Sequence, residues 1–242
     1  MKILLTNDDG IDSTGLWAMA RALYEQQNFE VAIAAPMRQQ SGMSHAMTVH
    51  KKIEFSRVKH PKIEAWTIDG TPTDCVKFYL EELGKDEKIS AVISGINDGA
   101  NLATDVLYSG TVGGALEGFL HDIPALAVSR DKVSEIPFDE VAKTTAKYFA
   151  EKLKIGEIFF QNINFPKVYH NGAADFKLAR LGKRDYVNAF IRSSENGKTF
   201  FEIRGEVYDI DKSEGTDLFA IENGYISVTP LHFDVVHHEK IS

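Results

Sequence analysis

Two adjacent carboxylates stand directly after the first apolar segment of the chain, in the stretch MKILLTNDDG. Ile3 to Leu5 has the composition of a strand buried on both faces, and Asn7, Asp8, Asp9 and Gly10 follow it. Two carboxylates held close together repel each other, so the pKa of one of them rises unless a cation compensates. Hard divalent cations such as Mg²⁺ prefer oxygen ligands. The residues alone leave two interpretations open, a metal site or an acidic turn that caps the next helix.

The stretch SGINDGAN also comes directly after an apolar strand, predicted over residues 89–93. Asn97 and Asn101 offer side-chain oxygens and amides, and Gly95 and Gly99 permit close approach of the backbone to a ligand. The alternative is an Asn/Gly-rich loop whose side chains bond to their own backbone.

A third segment, YSGTVGGALEGF, combines hydroxyls with the start of a predicted helix. Ser109, Gly110 and Thr111 would present unpaired N–H groups and two hydroxyls, which is the chemistry of a phosphate cradle. Taken alone, the stretch favours an ordinary Thr N-cap with glycines for close helix packing. It is not a nucleotide-triphosphate loop, because no Gly-Lys-Ser/Thr follows, and no GxGxxG pattern follows the first strand.

A fourth segment, APMRQQSGMSH, follows the second predicted strand and should reach the same edge of the sheet. Ser41 could add an oxygen ligand there. His45 could act as an acid or a base, or could simply lie on the surface.

Elements that would position these segments alternate between strand and helix over roughly the first 165 residues, which predicts a parallel sheet covered on both faces. The predicted strands are residues 3–5, 29–34, 53–55, 65–68, 89–93, 124–128 and 158–165. The predicted helices begin after the cap Ser13 or Thr14, after the cap Thr71 and after Ser109, and a fourth spans 138–153. Short strands at 177–181, 186–191, 199–203 and 225–228 dominate the remainder. We therefore predict a single domain over residues 1–242, with a Rossmann-like core (1–165) and a strand-rich C-terminal extension (166–242) used in oligomerisation.

Composition excludes several classes of protein. The net charge of −8 argues against a general binder of nucleic-acid duplexes, whose affinity comes from a basic face. The single cysteine, Cys75, cannot form an intramolecular disulfide, which indicates a reducing, cytoplasmic compartment. No leader pattern precedes the first strand and no apolar run is long enough to cross a bilayer, so we expect no membrane association.

Taken together, these stretches resemble the SurE family of survival-protein nucleotidases. The matching segments, in family order, are ILLTNDDGIDSTGL, AP followed by QQSGMSHAMT, IDGTPTDCV, VISGINDGANLATDVLYSGTVGGALEG, IPALAVS, INFP and EGTDLFAIENGYISVTPL. They run from residue 3 to about residue 231, which is nearly the whole chain.

The resemblance implies a three-layer, mostly parallel α/β fold and a phosphomonoesterase that needs one divalent ion, Mg²⁺ or Mn²⁺, per subunit. Its substrates would be 5′- and 3′-nucleoside monophosphates, with short polyphosphate as a further substrate, and its assembly a homodimer or homotetramer. By position, the metal ligands would be Asp8, Asp9, Ser41 and Asn97, and the phosphate contacts Asn101, Ser109, Gly110 and Thr111. Asp98 departs from the family pattern, which commonly has a small residue there, and adds negative charge beside the site.

The resemblance and the residues together suggest a hypothesis for the reaction. Asp8 and Asp9 hold the ion, one of them orients or deprotonates the attacking water, and residues 109–111 stabilise the charge that develops on the phosphoryl group. Two rivals remain open at this point: a non-catalytic nucleotide sensor that uses the same metal, and an oligomeric scaffold whose acidic turn is only a cap.

Overall fold

The computed structural model describes residues 1–26, 28–188, 190–203 and 205–234. The strands of this part are β1 (Lys2–Thr6), β2 (Glu30–Pro36), β3 (Phe55–Val58), β4 (Glu64–Ile68), β5 (Ile89–Asp98), β6 (Ala125–Arg130), β7 (Phe160–Phe165), β8 (Phe176–Leu178), β9 (Lys183–Val187), β10 (Phe190–Glu195), β11 (Lys198–Ile203), β12 (Glu206–Asp211) and β13 (Ile226–Pro230). The α-helices are α1 (Thr14–Glu25), α2 (Pro72–Phe78), α3 (Gly110–Leu120), α4 (Phe138–Leu153) and α5 (Asp217–Glu222).

Nine of these strands form one sheet in the order β3-β4-β2-β1-β5-β6-β7-β13-β8. Every pairing from β4 to β7 is parallel, while β3 and β13 run antiparallel to β4 and β7. The prediction of a mostly parallel sheet is therefore confirmed. Parallel strands are buried on both faces, which explains the continuous apolar runs of β1, β2 and β5.

Helices cover the two faces in pairs and complete the three layers. Alternate residues of β1 point to opposite faces, so Ile3 and Leu5 pack in the core below α1 and α4, whereas Leu4 packs below α2. The sequence predicts the start of α2 correctly. Thr71 and Asp74 form a reciprocal capping box, with Pro72 in the first turn.

The C-terminal part is rich in strands, as predicted, but two of them join the main sheet. β13 inserts between β7 and β8, and the other four strands form two antiparallel pairs, β9 with β12 and β10 with β11. The strand predicted over 186–191 is divided between β9 and β10, and Asn188 between them adopts the left-handed conformation, with φ of 51°. The sequence analysis also missed β12 and α5.

No helix within the described residues is both long enough and apolar enough to span a lipid bilayer.

Candidate active site

Four loops meet at one edge of the sheet because their strands are parallel neighbours. β2, β1, β5 and β6 lie side by side, so their carboxyl ends share one rim, which is where open α/β sheets bind ligands. The turn after β1, the loop after β2 and the end of β5 lie on this rim together with the start of α3. These segments carry the residues that the sequence analysis singled out.

The turn after β1 is closed by its own side chain. Asn7 accepts a hydrogen bond from the N–H of Gly10 (3.2 Å) and donates from Nδ2 to the carbonyl of Gly10 (2.9 Å). Gly10 has φ of +96°, which a residue with a side chain rarely adopts. The turn is thus fixed locally, and it holds Asp8 and Asp9 at the rim.

Asp8 is a buried carboxylate, with only 6% of its surface exposed. Its Oδ1 accepts a short hydrogen bond from the Thr111 hydroxyl, and its main-chain carbonyl accepts one from the N–H of Gln40 (2.7 Å). Burial, opposed by the hydrogen bond from Thr111 and assisted by the charge of Asp9, raises the pKa of Asp8 to about 6.

Asp9 is more open and is held by longer bonds. Gln39 donates to its Oδ1 (3.3 Å), and the main-chain N–H of Asp98 donates to its Oδ2 (3.4 Å). Burial raises the pKa of Asp9, and the nearby charge of Asp98 acts in the same direction. Asp98 itself is paired with Arg130, whose Nε lies 2.9 Å from Asp98 Oδ1, so the additional negative charge noted in the sequence is largely offset.

The start of α3 packs directly against Asp8, and glycine makes this contact possible. A Cβ on Gly110 would lie 3.0 Å from Cβ of Asp8, 3.1 Å from the carbonyl of Gln40 and 3.2 Å from Asp8 Oδ2. Ser109 is the N-cap of the helix and accepts a hydrogen bond from the N–H of Val112 (3.1 Å). The capping interpretation is therefore correct for this stretch, with Ser109 rather than Thr111 as the cap, and the helix start faces the acidic pair.

The loop that carries Ser41 runs alongside residues 107–113. Gln40 contacts Asp8 at one end, and at the other end Ser44 donates from its N–H to the carbonyl of Tyr108 (2.9 Å) and from its hydroxyl to that of Leu107 (2.7 Å). Ser41 lies between these anchors with its side chain exposed. Ser41 therefore adjoins a residue that is bonded to Asp8, and its role as a metal ligand stays a prediction.

Asn97 stands at the end of β5, next to the residue whose N–H bonds Asp9. Its Nδ2 donates to the carbonyl of Gly99 (2.6 Å), which orients the amide, and Oδ1 accepts no hydrogen bond from any residue that the structure describes. The oxygen of this side chain is therefore available to a cation.

Asn101 is placed differently from the other predicted residues. Its side chain donates to Ser129 (2.9 Å), its N–H donates to Asn164 (2.8 Å), and its carbonyl accepts from Asn162 and Asn164. These bonds anchor the loop after β5 to the ends of β6 and β7. In the described residues its side chain makes no hydrogen bond to the acidic pair, and its phosphate contact stays a prediction.

His45 is bound to a buried acid on α3. Its Nε2 lies 2.7 Å from Oε2 of Glu117, which is 3% exposed. Burial acts to raise the pKa of Glu117, but the hydrogen bond and charge of His45, with the charges of Lys77 and His121, outweigh it and hold that pKa below its usual range. Since the main chain at Ser44 and His45 also lies against Gly113, this contact docks the loop on the helix.

The donor set fits a hard divalent cation. Within the described residues neither Asp8 nor Asp9 forms an ion pair, although Asp8 is buried and the two charges are adjacent. An uncompensated buried carboxylate is costly, and a cation bound at this point would remove the cost. The described part of the chain contains no group of three or more His, Cys, Asp and Glu side chains suited to a metal, so the other ligands would be hydroxyl and amide oxygens, as from Ser41 and Asn97.

The sequence analysis missed two residues that support the site, Gln39 and Arg130. Arg130 ends β6 in the stretch AVSR, beside the end of β5. The parallel register predicts that a side chain at that position reaches the same rim, so the signal was present.

Comparison with known proteins gives one consistent result. The family model for Survival protein SurE matches residues 3–188. The chain is 38% identical over 246 residues to the 5'-nucleotidase SurE of Thermoanaerobacter sp. (strain X514), covering 100% of this chain and 96% of the relative. It is 40% identical over 247 residues to the 5'-nucleotidase SurE of Heliobacterium modesticaldum, covering 100% and 89%. The crystal structure of the SurE protein from Aquifex aeolicus superposes with a TM-score of 0.84 at 35% identity, covering 100% of this chain and 97% of that one.

Proposed function

The chain belongs to the SurE family and is a nucleotidase, and we propose that it hydrolyses nucleoside monophosphates with a divalent cation held by Asp8 and Asp9. The observation that carries the proposal is the pair of adjacent carboxylates, one of them buried, with no cationic side chain paired to either within the described residues. The rival idea of a non-catalytic sensor loses support, because the curated relatives are named as enzymes.

Four side chains would hold the ion: Asp8, Asp9, Ser41 and Asn97. When bound, Mg²⁺ or Mn²⁺ supplies Lewis-acid polarisation of a phosphate oxygen and activates a water for attack. Three of these ligands are oriented by hydrogen bonds. Asp8 is held by Thr111 and Asp9 by Gln39, and Asn97 donates to the carbonyl of Gly99.

The start of α3 would receive the phosphoryl group. The N–H of Gly110 at the first position of an 11-residue helix, together with the buried Ser109 hydroxyl, places donors and the positive end of the helix dipole at the rim. Such donors stabilise the charge that develops on the phosphoryl oxygens. Because both the hydroxyl and the main-chain N–H of Thr111 bond to Asp8, we assign Thr111 to holding the carboxylate, and the N–H of Gly110 to the phosphate.

Asp9 is the carboxylate that we assign to orienting the attacking water. Among the residues that the structure describes, its two oxygens accept only the longer bonds from Gln39 and Asp98, whereas Asp8 is buried and tightly bonded to Thr111. Asp9 Oδ2 would accept the water's proton as the oxygen attacks phosphorus, and the nucleoside oxygen, on breaking its bond to phosphorus, would take a proton from solvent.

The C-terminal strand pairs fit a role in assembly. β10 and β11 are exposed along their whole described length and carry Phe190, Phe201 and Ile203, each more than half exposed. Apolar surface of this kind marks an interface, and we propose a homodimer or homotetramer built through it. Light scattering of the intact protein tests the assembly, and a monomer at micromolar concentration would contradict it.

The function is tested by phosphate release from a panel of 5′- and 3′-nucleoside monophosphates and short polyphosphate, with Mn²⁺ or with chelator. We expect release only with metal, and its loss in Asp8→Asn and Asp9→Asn. Asp12→Asn is the matched control, because Asp12 is an exposed carboxylate in the same acidic segment and outside the pair. Full activity in folded Asp8→Asn would contradict the proposal.

A further inference from the structure

An exposed aromatic ring stands beside the proposed phosphate cradle. Tyr108 directly precedes Ser109, the N-cap of α3, and 64% of it is exposed. Within the described residues its phenol makes no hydrogen bond and its ring stacks on no other ring. The ring is therefore open to contact with a ligand.

The backbone of this residue is fixed although its ring is free. Its N–H donates to the carbonyl of Asp105 (3.0 Å), and its carbonyl accepts from the N–H of Ser44 (2.9 Å). The hydroxyl of Ser44 also donates to the carbonyl of Leu107 (2.7 Å). The ring is therefore carried on a rigid support, which lowers the entropy cost of binding a ligand to it.

The residue that carries the ring adjoins the proposed phosphate cradle in sequence. Consecutive Cα atoms lie about 3.8 Å apart, so Tyr108 begins one residue from the cradle at Ser109 and Gly110. Met43, 37% exposed, adjoins Ser44 and adds a second apolar side chain close to the Tyr108 main chain. A monophosphate held at the start of α3 would carry its sugar and base outward from this point.

We propose that Tyr108 is the stacking platform for the nucleobase of the substrate. This inference rests on the proposed nucleotidase function and deepens it by naming a residue that distinguishes nucleotides from other phosphomonoesters. Stacking on an aromatic ring accepts every base because each base has a π-face. Since a purine offers more area to the ring than a pyrimidine, Tyr108 would favour purine nucleotides.

The test compares Tyr108→Ala with Tyr108→Phe on three substrates, AMP, UMP and the base-free phosphomonoester 2-glycerol phosphate. We expect Tyr108→Ala to raise KM for AMP by roughly 5- to 150-fold, which is the effect of one base–aromatic stack, and to raise it less for UMP. Its kcat/KM on 2-glycerol phosphate should stay within about twofold of wild type, because that substrate has no base to stack. Tyr108→Phe keeps the ring and should retain the wild-type preference.

Three outcomes would overturn the inference. Equal loss of kcat/KM on AMP and on 2-glycerol phosphate would show that the ring supports the loop or a subunit contact. An unchanged KM for AMP in Tyr108→Ala would place the base elsewhere, and a loss of base preference in Tyr108→Phe would assign the effect to the hydroxyl. If the wild-type protein releases no phosphate from any of the three substrates with Mn²⁺, the nucleotidase proposal itself is wrong. That result differs from the three outcomes above, in which the wild-type protein is active.

Discussion

Asp8→Asn should make the metal-free protein more stable while abolishing its activity. The buried carboxylate has its pKa raised from 3.8 to about 6, so the folded state binds a proton more tightly than the unfolded chain does. Because the folded-state pKa of Asp8 lies above its unfolded-state pKa, the free energy of unfolding falls as pH rises from about 4 to about 6. It stays lowered by the full amount at higher pH. That shift corresponds to about 3 kcal/mol at pH 8.

An asparagine carries no charge and keeps an Oδ1 that can accept the Thr111 hydrogen bond. The expected gain in the free energy of unfolding is therefore about 2–3 kcal/mol at pH 8 and close to zero at pH 4. Urea unfolding in chelator, at one fixed protein concentration, measures both values. Asp12→Asn serves as the control and should show no gain at either pH, because this side chain is exposed.

A stability of Asp8→Asn equal to or below that of wild type at pH 8 would refute this reasoning. So would a gain of the same size at pH 4 and pH 8, since the cost of the carboxylate must vanish once it is protonated. With saturating Mn²⁺ the order should reverse, because the ion stabilises only a protein that binds it.

Three further predictions concern the same rim. Gly110→Ala should lower kcat/KM in phosphate-release assays by more than about 10-fold, because the added Cβ would press on Asp8 and Gln40. Gly99→Ala is the control, since its added Cβ would meet only Asn97 Nδ2, at 3.7 Å. Metal affinity should fall about tenfold per pH unit below about pH 6, because Asp8 takes up a proton there. Mn²⁺ titrations at pH 5 and pH 7 measure the two affinities, and equal affinities would contradict the prediction. Ser109→Ala should reduce kcat about 10²-fold, because the hydroxyl that stabilises the phosphoryl group is lost. It should also lower the free energy of unfolding by about 1 kcal/mol, because the helix loses its N-cap. An unchanged kcat would leave Ser109 with the capping role alone.

Local chemistry made much of the fold predictable. The bounds of α4 follow from its apolar period, and the capping box at Thr71 follows from the spacing of Thr, Pro and Asp. The shared rim of the site follows from the rule that parallel strands end at one edge of a sheet. These features depend on residues close together in sequence or on one general rule of topology.

The features that were missed depend on contacts distant in sequence. β12 mixes acidic with apolar residues and is exposed on most of its length, and it becomes a strand only by pairing with β9. α5 has six residues, too few for a periodic signal, and its Asp217 side chain accepts hydrogen bonds from the N–H groups of Ala103 and Gly182. The insertion of β13 between β7 and β8 likewise depends on tertiary packing that no local pattern encodes.

The sequence predicts which segments reach the rim but not the hydrogen-bond network that joins them, and the ligand roles of the residues stay predictions. The positions of Asp8, Asp9, Ser41 and Asn97 followed from strand ends and from the resemblance. The bond from Thr111 to Asp8 and the pairing of Asp98 with Arg130 join segments far apart in the chain, and only the folded structure shows them.

The central claim is that the acidic pair binds a divalent cation, and titration of the metal-free protein with Mn²⁺ tests it most directly. At pH 7.5 we expect one bound ion per chain in wild type and in Asp12→Asn, and no binding at that site in Asp8→Asn. Equal binding by wild type and a folded Asp8→Asn would contradict the account.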